Sequence, residues 1–207
     1  TKIGHAGTLD PMATGLLIVL IGREQTRDQD KFMNLSKDYQ AVIKFGARSN
    51  TYDIDTNAVL EYTQEEGLLD DLDIECIKKA ILSNFIGEVT QTVPPYSAVK
   101  VEGKRLYEKV RNNIAITDLP RRKVKIDKFD VVNFKNPFEQ GKIGDFSQLP
   151  VLEAELTVSK GTYIRNLAQI LLKRLNSFGT LSYLERVKED NLKYENEKKM
   201  RQRANNR

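Results

Sequence analysis

The sequence predicts an α+β chain, strands with a few helices between them, and two kinds of repeat carry that expectation. Apolar residues alternate with polar ones over 39–45 and 151–158, the period of a strand with one buried face. Over 74–86 and 163–175 they recur every three or four residues, the period of an amphipathic helix. At 207 residues the chain is long enough for one good core with a small appendage.

The chain opens on Gly4-His5-Ala6-Gly7-Thr8-Leu9-Asp10-Pro11, which puts two glycines, the only histidine and a carboxylate ahead of an apolar run. Pro11 disfavours the helical region for Asp10 and so holds the carboxylate in an extended bend. The run Gly15-Leu16-Leu17-Ile18-Val19-Leu20-Ile21-Gly22 has the length, glycine bounds and branched side chains of a fully buried strand. A carboxylate fixed at the lip of a core strand suits chemistry; an Asp-Pro pair also simply forms turns, and the segment alone allows both.

A polar stretch from Arg23 to Lys37 follows. In Tyr39-Gln40-Ala41-Val42-Ile43-Lys44-Phe45 the alternation sets Tyr39, Ala41, Ile43 and Phe45 on one face, so the Tyr39 ring turns the same way as core residues. The acidic stretch beyond it reads as a surface connection. It leads to a helix near 74–86 carrying Ile74, Ile77, Ile81 and Phe85, with Gly87 ending the pattern.

Glu88 to Val93 is a short strand broken by Pro94-Pro95. Tyr96 to Val101 resumes an extended pattern, Gly103 turns the chain, and Lys104 to Arg111 is a short helix with Leu106, Tyr107 and Val110 inward. Arg121-Arg122-Lys123-Val124-Lys125-Ile126 alternates basic with apolar, a strand with one wet positive face, and 133–149 reads as an irregular excursion. Leu152, Ala154, Leu156 and Val158 form the buried face of a strand that turns through Ser159-Lys160-Gly161. Thr162 is then the expected N-cap of a helix whose core face holds Ile164, Leu167, Ala168, Leu171 and Leu175. Arg165 falls in the first turn of that helix, where the dipole disfavours a cation, so a glutamate, Asp10 or a phosphate should compensate it.

Composition narrows the function classes. No apolar stretch approaches the roughly 18 residues of a membrane span, and no signal peptide is visible. One cysteine, Cys76, excludes an internal disulfide and fits a reducing compartment; with a single histidine it makes a zinc site improbable. The net charge of +4 conceals segregation. Residues 53–77 carry Asp53, Asp55, Glu61, Glu65, Glu66, Asp70, Asp71, Asp73 and Glu75 with no lysine or arginine, whereas 100–128 hold ten basic against four acidic side chains. Such a surface suits a polyanion met from one side, although a solvated basic face without a partner has the same composition.

Four blocks resemble one family. They are Gly4-His5-Ala6-Gly7-Thr8-Leu9-Asp10-Pro11 with Thr14-Gly15-Leu16-Leu17; Lys37-Asp38-Tyr39; Pro94-Pro95-Tyr96-Ser97-Ala98-Val99-Lys100-Val101-Glu102-Gly103-Lys104-Arg105-Leu106-Tyr107; and Ser159-Lys160-Gly161-Thr162-Tyr163-Ile164-Arg165. In this order they resemble the TruB family of tRNA pseudouridine synthases, over residues 2 to about 187. The resemblance implies a pseudouridine synthase catalytic fold, a mixed, largely antiparallel sheet flanked by helices and loops, spanning 1–188. It also implies isomerisation of the T-loop uridine 55 of tRNA, in the cytoplasm, by a monomer that needs no cofactor or metal and meets no membrane.

By position, Asp10 matches the family's catalytic aspartate, a covalent nucleophile toward either the uracil ring or the ribose anomeric carbon. Arg165 matches the arginine that pairs with it, and Tyr39 the active-site tyrosine that stacks on a flipped uracil and stands near the carbon that loses its proton. Tyr163 and Leu184 match positions shaping the uridine pocket, and His5 a residue touching the RNA beside the extruded nucleotide, though His5 also suits a plain turn. Lys37, Lys100 and Lys104 are candidate phosphate contacts.

The chain departs from the family in three ways. It begins without the usual N-terminal segment, its stretch from Arg23 to Lys31 is longer and more charged, and Glu189 to Arg207 reads as a charged, disordered tail in place of a C-terminal RNA-binding domain. A second class of function therefore stands beside the enzyme: an RNA-binding module of the same shape that folds T-loops without chemistry. A third, remoter one is a relative acting on rRNA or at guide-RNA-directed sites.

Overall fold

A computed structural model of the chain describes residues 1–54, 60–62, 72–116, 118–136 and 146–193. Its framework is one seven-stranded sheet. The order across it is β13 (Leu192–Lys193), β12 (Gly179–Glu189), β4 (Lys37–Phe45), β11 (Val151–Val158), β10 (Arg121–Lys135) and β7 (Gly87–Thr92), all antiparallel, with β2 (Thr14–Gly15) joined in parallel to β12. The remaining strands form two-stranded ribbons: β1 (Ile3–His5) with β3 (Val19–Ile21), β5 (Ala47–Ser49) with β6 (Leu60–Tyr62), and β8 (Lys100–Val101) with β9 (Lys104–Arg105). Helices α1 (Arg23–Arg27) and α2 (Gln29–Met33) lead into β4, α3 (Ile74–Asn84) and α4 (Leu106–Arg111) flank β7, and α5 (Ile164–Arg174) joins β11 to β12.

The alternation read from the sequence builds the middle of this sheet. Ala41, Ile43 and Phe45 of β4 and Leu152, Ala154, Leu156 and Val158 of β11 are at most 2 % exposed. Over them pack Ile77 and Ile81 of α3 with Phe85 just after it, and Leu167, Ala168 and Leu171 of α5. Phe85 meets Phe129 of β10 edge-on, centroids 5.5 Å apart. Asp73 caps α3 by accepting the Cys76 N–H at 2.7 Å.

Four expectations change. The apolar run 15–22 is not a buried core strand: only Val19–Ile21 is extended against β1, with Val19 and Ile21 more than half exposed and Leu20 alone buried. A run apolar on both faces does not reveal whether the fold has a sheet to cover each of them. Residues 95–98 bend rather than extend, leaving two-residue β8. In α4, Lys109 is the buried neighbour of Leu106 where Val110 was expected, its ammonium reaching Glu102 at 2.6 Å while its stem packs inward. The N-cap of α5 is Tyr163, not Thr162, whose hydroxyl instead donates to the Ser159 carbonyl at 2.8 Å and closes the preceding turn.

Of the irregular excursion, β10 takes residues up to Lys135, and 137–145 lie outside the described residues, as do 55–59 and 63–71 of the acidic connection. Of the expected tail, Glu189 ends β12, residues 190–191 turn and Leu192–Lys193 pairs back as β13; 194–207 lie outside the described residues.

Candidate active site

The loop between β1 and β3 reaches over one end of the sheet and carries Asp10 to the mouth of a cavity of about 560 Å³. Its walls come from many parts of the chain: residues 7–11, the strands β4 and β12, the turn at 51–53, the bend at 96–98 and the turn into α5, with Met33 of α2, Tyr107 and Arg111 of α4 and Arg122 of β10. Each of the four sequence blocks thus contributes to one space.

Arg165 organises its floor. The first turn of α5 points the guanidinium at Asp10, donating from Nε to Oδ2 at 2.9 Å and from Nη2 to Oδ1 at 2.6 Å. This two-pronged arrangement is the strong form of an arginine–carboxylate pair and fixes the plane of the carboxylate. Arg165 also donates to the carbonyls of Thr51 at 2.9 Å and Tyr96 at 3.1 Å, so it joins three loops. The awkward cation is therefore compensated by Asp10, one of the three partners open to it in the sequence. The Arg165 side chain is 5 % exposed, whereas that of Asp10 stays 24 % exposed toward the cavity.

A second carboxylate stands behind the first. Asp53, 1 % exposed, lies 3.4 Å from Arg165 Nε and accepts the Thr51 hydroxyl at 2.6 Å. Its own carbonyl accepts Ser49 Oγ at 2.6 Å. The sequence reading left Asp53 in the acidic surface connection. Its signal was faint: it follows Thr51-Tyr52 directly after β5, and nothing in the local pattern separates it from Asp55.

Tyr39, 7 % exposed, forms part of the wall from β4. Burial pushes its phenol above the ordinary value of 10.0, with the positive charge of Arg186 opposing that shift and the negative charges of Glu189 and Asp10 adding to it. Leu184, opposite Ala41 across the strands, and Tyr163, at the start of α5, complete the apolar lining. Tyr163 is held by its backbone N–H, which donates to Gln91 Oε1 at 2.8 Å, and Arg122 lies over its ring at 5.5 Å.

Asp10, Tyr39, Arg165, Tyr163, Leu184 and Lys37 thus share one cavity. Lys37 is buried, however, its ammonium donating to the Leu35 carbonyl at 2.8 Å, and burial lowers its pKa below the usual lysine value. His5, Lys100 and Lys104 are outside the lining: His5 is exposed on β1, its carbonyl accepting Gln29 Nε2 at 2.7 Å. The positive rim is instead Arg111 and Arg122, with Tyr107 between Arg105 and Arg111 at 5.8 and 5.6 Å. Sequence reasoning also missed Arg186, which reaches the cavity from β12. Among the described residues no three His, Cys, Asp or Glu side chains gather as metal ligands would, and no helix is long and apolar enough to cross a membrane.

Comparison with known proteins places these residues in a context. The TruB family pseudouridylate synthase (N terminal domain) matches residues 1–164. The chain is 36% identical over 195 residues to tRNA pseudouridine synthase B of Clostridium tetani, covering 94% of this chain and 60% of that protein. It is 36% identical over 197 residues to that of Aquifex aeolicus, covering 94% and 61%, and 40% identical over 186 residues to that of Corynebacterium efficiens, covering 90% and 57%. The chain thus spans about three-fifths of the length of the curated relatives it matches. Its fold is shared with a solved Cbf5-Nop10-Gar1 complex, at a TM-score of 0.59 and 23% identity over 95% of this chain and 43% of that one. An H/ACA RNP bound to a substrate RNA matches at 0.57 and 20% over 95% and 41%.

Proposed function

The chain belongs to the TruB family of pseudouridylate synthases, and from that membership we propose that it converts uridine to pseudouridine in tRNA, at uridine 55 of the T-loop. The observation that carries this reading is the pairing of Asp10 with Arg165 at the mouth of a cavity walled by Tyr39. Isomerisation breaks the bond between the ribose anomeric carbon and N1, turns the base, forms a bond from the same carbon to C5, and moves a proton from C5 to N1. No atom is gained or lost, so the site must supply a nucleophile, a place for the base to turn and a proton path.

Asp10 is the nucleophile, forming a transient covalent bond with substrate. Arg165 keeps its carboxylate aimed at the substrate through two hydrogen bonds. Tyr39 offers a ring face to the flipped uracil and a hydroxyl near the proton of C5, with Tyr163 and Leu184 confining the base. The RNA backbone is met by Arg111 and Arg122 at the rim, with Lys100 and Lys104 farther out. His5 and Lys37 have weaker geometric support as substrate contacts, the first standing on an exposed strand and the second turned into a buried network.

A module that binds T-loops without chemistry would use the same basic rim, but it has no need for a carboxylate gripped by a guanidinium beside a cavity. An unmodified T-stem-loop RNA tritiated at C5 of uridine separates the two. The proposal expects tritium to pass into water, with pseudouridine mapped to position 55; binding without tritium release would leave only the module.

A further inference from the structure

Three charged side chains lie buried in the sheet beside the cavity. Arg186 is 1 % exposed, Glu189 0 % and Lys37 5 %. The strand register gathers them: Arg186 stands opposite Tyr39, and Glu189 opposite Lys37. Arg186 Nε lies 3.2 Å from Glu189 Oε1, and Lys37 Nζ 3.8 Å from the same atom. A buried cation is tolerated only when paired, and Glu189 serves both.

The remaining contacts of Arg186 give it a task. Its Nη2 donates to the Gly7 carbonyl at 3.0 Å and its Nε to the Leu16 carbonyl at 2.6 Å. Its backbone carbonyl accepts the Leu16 N–H at 2.8 Å, and Glu185 and Arg186 pair in parallel with Thr14 and Gly15. One residue therefore holds both ends of the segment 7–16, and Asp10 lies between them. The fit is close: a Cβ on Gly7, whose φ is 96°, would stand 3.3 Å from Arg186 Nη1, and one on Gly15 would stand 2.3 Å from the Arg186 carbonyl oxygen.

We propose that Arg186 is a positioning residue that closes the loop 7–16 like a staple, so that Asp10 meets Arg165 and Tyr39 in one geometry. Asp10 is thus held twice, at its carboxylate by Arg165 and, through the ends of its loop at Gly7 and Leu16, by Arg186. A lysine at 186 would keep the charge but has a compact ammonium in place of the planar fork that serves two carbonyls at once. A loop released by about 1 Å loses on the order of 100-fold in rate while its other contacts persist. The catalytic consequence rests on the proposed function; the closure of the loop does not.

The test is Arg186→Lys, read by amide hydrogen exchange, by single-turnover pseudouridine formation and by RNA affinity. The staple predicts faster exchange in 7–16 with β4 and β11 unchanged. It also predicts a rate lowered about 10- to 100-fold and an RNA Kd within about twofold of the wild type. Wild-type exchange and rate in the variant would overturn it, and so would a rise in exchange throughout β4 and β11, the mark of a general structural role. Should Arg186→Lys fail to fold, Glu189→Gln decides. Loosening confined to 7–16 supports the staple, and an unchanged loop refutes it. If the wild-type chain forms no pseudouridine, the functional reading fails, while the exchange contrast still decides the staple.

Discussion

Arg165 and Asp10, 155 positions apart in the chain, meet through two hydrogen bonds of 2.6 and 2.9 Å, and this pair ties the start of α5 to the loop after β1. The guanidinium also carries Asp53 and two carbonyls, so it forms the hub of the site rather than one arm of a pair.

Asp53 consequently matters to both fold and chemistry. Asparagine at 53 leaves Arg165 paired with Asp10 but weakens the charge-assisted contacts that Asp53 makes with Arg165 and the Thr51 hydroxyl, at a cost of about 1.5 kcal/mol. Asp53→Asn should lower the unfolding free energy by about that amount in a urea titration. Because Arg165 then loses a fixed support, pseudouridine formation should slow even at temperatures where the variant stays folded.

Tyr39 gives a signature in stability against pH. Its folded-state pKa lies above the ordinary value of 10.0, so above pH 10 the unfolded chain releases the phenolic proton first and stability falls as pH rises. Below pH 10 the phenol is protonated in both states and contributes no slope. Tyr39→Phe should flatten the alkaline decline by up to about 1.4 kcal/mol per pH unit. Buried Lys37 acts with the opposite sign, raising stability with pH up to its unfolded value of 10.5, which separates the two effects. Thermal melts of both proteins across pH 9 to 11.5 check this.

Much of this arrangement was legible in the sequence because regular alternation and helical spacing report directly on β4, β11, α3 and α5, and because four ordered blocks carry the residues that meet in the cavity. What escaped has physical causes. In β12 the buried positions are Gly179 to Leu181, then Leu184 and Arg186, then Glu189. Two register shifts, at Leu181/Tyr183 and Arg186/Lys188, exchange the inner and outer faces each time. Strict alternation therefore fails there, and Arg186 and Glu189 read as solvated charges. Asp53 was hidden similarly, since a buried acid inside an acidic stretch looks like its neighbours until a partner arrives from α5. The apolar run 15–22 misled in the other direction, its branched residues standing on an exposed ribbon.

The core itself predicts an ordinary cavity penalty. Phe85 is fully buried beneath α3 and packs edge-on against Phe129. Phe85→Ala should destabilise by about 3–5 kcal/mol, measured by denaturant unfolding. Because Phe85 is outside the cavity lining, the salt dependence of RNA binding should stay unchanged in the folded fraction.

The rim makes a separate prediction. If Arg111 and Arg122 contact phosphates, replacing either with alanine should weaken T-stem-loop binding for every sequence variant alike. It should also flatten the plot of log K against log salt by about 0.7 to 0.9. Turnover at saturating RNA should change little for Arg111→Ala. Arg122→Ala should slow it further, because Arg122 also covers the Tyr163 ring.

The most direct measurement compares this chain with its Asp10→Asn variant on an unmodified T-stem-loop RNA, scoring pseudouridine and RNA affinity together. Asparagine matches aspartate in size but cannot serve as the charged nucleophile. The account predicts conversion by the wild type and none by the variant, with affinities within about twofold of each other. Conversion by Asp10→Asn at the wild-type rate would contradict it and remove Asp10 from the reaction.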